Sequence, residues 1–255
     1  MPRQITSVQH PLVKHMVRLR QNRDYRYEHR SLLLEGIKPI AEIGGKFHFK
    51  TLMMLNETLL PIGIKADEIL IVNESIMKKV SGMQTSEGII AEIEMPEPAS
   101  LKGLKFIVAF DGIADPGNLG TLLRTALALG WEGAFIIDET CDPFNEKALR
   151  AARGATFRLP IAWGNWQMLH ELISKNHLNP VVADLQGTPI EKCERKDSIL
   201  LVLSSESQGV SEDARKVCDP VTIPMPGEME SLNVAIAGGI LMYSFLRGDD
   251  VSKGR

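Results

Sequence analysis

Three loops in this sequence join an apolar, strand-like run to a helix-like run through Gly, Pro and polar residues, and they hold the side chains best suited to chemistry. The first is Phe110-Asp111-Gly112-Ile113-Ala114-Asp115-Pro116-Gly117-Asn118-Leu119-Gly120. The second is Leu203-Ser204-Ser205-Glu206-Ser207-Gln208-Gly209-Val210. The third runs Ile223-Pro224-Met225-Pro226-Gly227-Glu228-Met229-Glu230-Ser231-Leu232-Asn233-Val234. In an open parallel sheet, ligands bind at the carboxyl ends of the strands, so three such ends define one candidate site. Counting about 100° per residue from Asn118, Leu119, Leu122, Leu123, Ala126 and Leu127 share one arc, while Arg124 falls near 240° on the polar side. Arg124 is thus either a surface arginine or a permanent positive charge offered to a ligand. Asn118 fits a helix N-cap or a ligand contact. Glu206 follows Leu200-Leu201-Val202-Leu203, which reads as fully buried. A carboxylate there needs hydrogen-bond partners, and could orient an arginine or a ligand hydroxyl. Ser231 fits an N-cap of the last helix, and Asn233 places an amide in its first turn.

The elements that must carry these loops alternate. Helices are expected over 11–22, 37–43, 75–81 (capped by Asn73 or Ser75), 118–129, 144–153, 165–176 and 231–246. Strands are expected at 32–34, 51–55, 68–72, 88–94, 105–110, 133–137, 156–161, 180–184, 198–203 and 221–225. This predicts an α/β protein with a mostly parallel sheet covered by helices on both faces, preceded by a smaller α/β domain. Residues 1–95 form the first domain, the proline-containing segment 96–100 a linker, and 101–255 the second. The last helix is apolar nearly all round, so it is buried on more than one side. Its Ala237-Gly238-Gly239 step would allow close packing, within the fold or against another subunit.

At 255 residues, with 44% hydrophobic and 24% charged residues, the chain has the composition of a globular protein and not of a disordered one. The net charge is -3, but residues 1–30 hold seven basic and two acidic side chains, a surplus of five that leaves the remainder at -8. Arg18, Arg20, Arg23, Arg26 and Arg30 lie in this stretch, which suggests a polyanion contact on an acidic body. Cys141, Cys193 and Cys218 are scattered and odd in number, which suits a reducing compartment. No zinc-type His or Cys spacing appears, so no metal is expected, and no apolar run spans a membrane. The basic N-terminus faintly resembles an organelle transit peptide, although its apolar positions read better as a folded helix. The location expected is cytoplasmic, with an organelle as the alternative. GxGxxG, GxxxxGK[ST] and GxSxG are all absent, which argues against dinucleotide, P-loop and α/β-hydrolase chemistry.

At the three loops the sequence resembles the SpoU (TrmH-like) branch of the SPOUT RNA methyltransferases. Asp115-Pro116-Gly117-Asn118-Leu119-Gly120 through Arg124-Thr125-Ala126 to Gly130 matches the family's DPxNxGxxxRTAxxxG. Ile223 to Val234 matches IPMxGxxxSLNV throughout. The second motif, GxEGxG, departs here: Ser205 and Ser207 flank Glu206 where the family has glycines. Residues 5–40 are similar to the family's L30e-like substrate-binding domain. The resemblance implies a trefoil-knotted C-terminal domain, a homodimer, S-adenosyl-L-methionine as methyl donor and the 2'-hydroxyl of a structured RNA as acceptor, ribosomal RNA before transfer RNA. It implies catalytic roles for Arg124, Asn118, Glu206, Ser231 and Asn233. It also implies cofactor contacts at Leu203, Ser204, Ser205, Gly209, Ile223, Met225 and Leu232, and RNA contacts at the five arginines. The alternative is a catalytically degenerate relative that binds RNA only, suggested by Ser205 and Ser207.

Overall fold

The computed structural model describes residues 2–194, 196–205 and 209–246. The chain divides into two compact units. One comprises Met1–Glu97 and Phe144–Phe157, the other Pro98–Pro143 and Arg158–Arg255.

In the first unit, β1 (Arg3–Ile5), α1 (Pro11–Gln21), α2 (Arg23–His29), β2 (Ser31–Glu35), α3 (Ile37–Ile43), β3 (Phe49–Met54), β4 (Ala66–Val72), α4 (Glu74–Ser81) and β5 (Ile89–Glu94) follow one another. The strands order as β1-β4-β3-β5-β2, with β5 antiparallel to both β2 and β3. Helix α1 forms because Val13, Met16 and Leu19 recur on one face and are fully buried. Asn73 caps α4 by accepting from the Ile76 N–H. One carboxylate enters this core: Glu92 accepts from Thr51 and meets His15 Nε2 at 3.1 Å. Burial pushes its carboxyl up, but the His15 hydrogen bond and charge, with Ser31 and Thr51, outweigh that and hold it below the ordinary value.

The rest of the chain supplies β6 (Phe106–Asp111), α5 (Pro116–Leu129), β7 (Gly133–Ile137), α6 (Glu146–Ala152), β8 (Ile161–Gly164), α7 (Trp166–Asn176), β9 (Asn179–Pro189), β10 (Ile199–Ser204), α8 (Glu212–Val217), β11 (Asp219–Thr222) and α9 (Val234–Leu246). Helix α6 belongs to the first compact unit. The strands make one sheet ordered β11-β9-β10-β6-β7-β8, with every neighbour parallel. Leu201 and Leu203 feed the core on one face, Leu200 and Val202 the core on the other. Two covered faces explain why β10 is apolar from Ile199 through Leu203. Each such side chain contributes about 1.5–3 kcal/mol by leaving water.

Several expected elements shift. Residues 155–157 form a 3₁₀ turn and the strand is Ile161–Gly164: Phe157 packs edge-on against Phe47 and Leu159 joins the core, so both are buried without strand pairing. The expected strand 221–225 is Asp219–Thr222; Pro224 and Pro226, which lack N–H donors, follow it without ladder pairing. The last helix starts at Val234, and its cap is Asn233 rather than Ser231, since Asn233 Oδ1 accepts from the Ala235 and Ile236 N–H groups. Asp115, not Asn118, caps α5: its Oδ1 accepts from the Asn118 N–H at 2.7 Å. Strand β1 and helices α2 and α8 carry no apolar periodicity and are absent from the sequence expectation.

Candidate active site

The carboxyl ends of β6, β10 and β11 bear the three loops of interest. A cavity of about 360 Å³ opens at the second and third, lined by Ser204, Ser205, Gly209, Ile223, Met225 and Leu232, and also by Ser231. Six of the seven residues expected to touch a cofactor therefore surround one space. Leu203 does not line it; its side chain is fully buried beneath α9 in the core.

Local chain chemistry shapes the second loop. Ser205 N–H donates to the Asp111 carbonyl, and Gly209 N–H to the Ser205 carbonyl. Gly209 has φ of +70°, which glycine adopts at no steric cost. Ser205 is not among the described residues with positive φ, so its backbone is unstrained. Glu206, Ser207 and Gln208 lie outside the described residues. Ser204, which lines the cavity, and Asp111 are register partners on β10 and β6. Asp111 Oδ2 and Ser204 Oγ are buried with no hydrogen-bond partner among the described residues. A buried orphan polar atom costs about 1–3 kcal/mol, which a bound polar ligand would offset.

The first and third loops meet directly. Asn233 Nδ2 donates to Asn118 Oδ1 at 3.2 Å, across the packed N-terminal ends of α5 and α9. Asn233 is held twice, its oxygen capping α9 and its nitrogen gripping Asn118. Asn118 then keeps its own NH₂ for other acceptors. Arg124 is exposed on α5, outside the cavity lining, and makes no hydrogen bond or ion pair with the described residues. Sequence reasoning missed the two charged lining residues, Asp184 on β9 and Arg215 on α8, which pair at 3.3 Å. The signal that could have found Asp184 is its place at the carboxyl end of the expected strand 180–184.

All three cysteine thiols are held above their ordinary pKa. Burial, then Asp115 and Asp142, push the Cys141 thiol up to about 11, and burial with Asp219 and Asp111 pushes Cys218 up to about 12. Burial also raises Cys193, with Asp219 and Glu191 adding to the effect.

In the first unit the five arginines divide. Arg18 lies 3.9 Å over the Tyr25 ring and Arg23 5.2 Å over the Tyr27 ring, both exposed. Arg20 is paired with Glu146 at 3.1 Å, and Arg30 with Glu97. Arg26 is 3% exposed and donates to the Leu19 and Arg20 carbonyls, so it holds α1 and α2 together and presents no charge outward. A second cavity of about 290 Å³ in this unit is lined by Arg20, Glu35, Glu146 and Arg150 among others, charges that pair with one another.

Residues 105–243 match the SpoU rRNA Methylase family, and residues 10–91 the MRM3-like substrate binding domain. The chain is 30% identical over 250 residues to the 23S rRNA (guanosine(2553)-2'-O)-methyltransferase RlmP of Bacillus subtilis (strain 168), covering 96% of this chain and 100% of that protein. An AdoMet-bound rRNA methyltransferase from Sinorhizobium meliloti is similar with TM-score 0.85 at 29% identity, over 95% of this chain and 97% of that one. The SpoU methyltransferase AviRb from Streptomyces viridochromogenes, in complex with AdoMet, shares the fold at TM-score 0.84 and 23% identity, over 97% of this chain and 100% of that one. With both family regions matched and the three loops gathered at one end of a parallel sheet, the chain belongs to the SpoU rRNA methylase family.

Proposed function

We infer that this protein transfers a methyl group from S-adenosyl-L-methionine to a ribose 2'-hydroxyl of ribosomal RNA. The observation that carries the reading is the convergence of the first and third loops through the Asn118–Asn233 hydrogen bond, beside a cavity lined by the second and third. That cavity suits the cofactor: Ile223, Leu232, Val234 and Leu241 give it apolar walls, the Ser204 hydroxyl lacks a partner, and Asp184 and Arg215 place charges at its side.

The bound cofactor supplies an activated methyl on a sulfonium, so the protein's task is to hold the acceptor oxygen and manage its charge. Positioning of the two reactants contributes at most about 7–11 kcal/mol. An arginine side chain is a poor general base, so Arg124 acts by stabilising the negative charge developing on the ribose oxygen. Asn118, fixed by Asn233, positions that oxygen with its free NH₂. Ser231 completes the acceptor side, and Glu206 orients Arg124. The measurement that tests this reading is methyl transfer to rRNA by the purified protein, with 2'-O-methyl mapping in cells lacking it. Transfer to a base nitrogen, or none to any RNA, would overturn it.

Residues 1–95 grip the RNA, 96–100 link, and 101–255 carry out the chemistry as a trefoil-knotted domain, a reading supported by the family match and the strand order. Arg18 and Arg23 are the expected phosphate contacts. RNA affinity should fall steeply between about 50 and 300 mM salt, and R18A/R23A should flatten the log–log slope by about 0.7–0.9 per lost contact. A salt-independent affinity would contradict an electrostatic grip. A 2'-hydroxyl acceptor also makes the activity specific for RNA over DNA.

The protein works as a homodimer through α9. Ile236 (57% exposed), Ile240 and Tyr243 (42% exposed) recur at i, i+4 and i+7 on the side turned away from the core. I236E with Y243E should yield monomers in sedimentation; an unchanged mass would place the dimer elsewhere. The cytoplasm is the expected location.

A further inference from the structure

Asp184 and Arg215 are the only charged side chains lining the cavity among the described residues. Their positions are built. The Asp184 side chain is 13% exposed, and its Oδ1 accepts from the Gln186 N–H at 2.9 Å. Its Oδ2 faces Arg215 Nη1 at 3.3 Å, while Arg215 Nε donates to the Val210 carbonyl in the second loop. A carboxylate and a guanidinium thus stand side by side at one part of a space whose other lining residues are uncharged, mostly apolar or small hydroxyl residues with Gln186. A nucleoside alone needs no such pair. An α-amino acid does, since its ammonium and carboxylate present the same two charges in complementary order.

We propose that Asp184 and Arg215 bind the amino-acid end of the methyl donor, the Arg215 guanidinium taking the α-carboxylate and the Asp184 carboxylate the α-ammonium. The assignment rests on the reading that this cavity holds S-adenosylmethionine. Arg215 is 60% exposed, and an ion pair that open to water is weak, so it exchanges partners at little cost. Guanidinium and carboxylate match as a planar, two-point contact, which fixes the ligand's orientation as well as its charge. The pair makes the site selective for nucleosides that bear an amino acid.

The test compares S-adenosylhomocysteine with 5'-methylthioadenosine, which keeps the nucleoside and lacks the amino-acid end, by calorimetry on the full chain. D184N preserves shape and R215A removes an exposed group, and thermal unfolding checks that both stay folded. The expected result is that each variant loses about tenfold or more in affinity for S-adenosylhomocysteine and stays within about twofold for methylthioadenosine. Decarboxylated S-adenosylmethionine separates the two roles: R215A should lose the preference for the carboxylated form, and D184N should keep it. Equal losses for both nucleosides, or no loss for either, would overturn the assignment and leave the cofactor reading standing. A wild-type protein that binds neither nucleoside would overturn the cofactor reading itself, and this assignment with it.

Discussion

Arg124→Ala slows methyl transfer by two to three orders of magnitude and leaves cofactor affinity unchanged; that is the expected result, read by single-turnover transfer to rRNA and by calorimetry. Loss of one preorganised stabiliser of developing charge costs on the order of 10²–10³ in rate, about 3–4 kcal/mol. The fold should not respond. Arg124 is exposed and makes no hydrogen bond or ion pair with the described residues, whereas Leu122, Leu123 and Ala126 on the other face of α5 are fully buried. Arg124 also lies outside the cavity lining, which separates the acceptor-side role proposed for it from cofactor binding. R124K keeps the charge and loses the planar fork, so an intermediate rate is expected. An R124A variant that fails to bind S-adenosylmethionine would reject the acceptor-side role.

Gly238→Val should be the most damaging change in α9, and its neighbour Gly239→Ala should be harmless. A Cβ at Gly238 would stand 2.5 Å from Leu122 Cδ2 and 2.6 Å from Leu203 Cδ1. Leu122 and Leu203 are fully buried, so neither can yield, and α9 must lift from α5 and β10. Overpacking of that kind costs about 1–3 kcal/mol or more. In a chain of this size that lowers Tm by about 2–4 °C for each kcal/mol. Because Leu203 precedes Ser204 at the cavity, cofactor affinity should fall with stability. At Gly239 the added Cβ meets Thr125 Cγ2 at 3.6 Å, ordinary contact. Alanine there gains up to about 1 kcal/mol of helix propensity. Equal melting of the two variants would show that the α5–α9 approach is looser than the geometry implies.

The periodic parts of the chain were legible because burial imposes a period. Val13, Met16 and Leu19 mark α1, Leu119, Leu122 and Leu123 mark α5, and the unbroken apolar run of β10 marks a strand covered twice. What periodicity missed was polar: α2 and α8 are defined by their capping residues Asn22 and Ser211 and by what they pack on. Capping was misread for a related reason. Asn118, Ser231 and Asn233 all have suitable side chains, and only the turn geometry decides that Asp115 and Asn233 do the capping.

The residue types alone fixed the α/β alternation, the three strand-end loops and the family, because local spacing and motif identity require no partner at long range. Where those loops meet was decided by the tertiary fold. The 3.2 Å contact between Asn118 and Asn233 joins residues 115 apart in the chain, and the Arg215–Asp184 pair arises from α8 folding back onto β9. The same holds for the arginines of the first unit: sequence sees five equal charges, while packing buries Arg26, pairs Arg20 and Arg30, and leaves Arg18 and Arg23 outward. A side chain's type sets what it can bind, but desolvation and neighbours set whether it is free to do so.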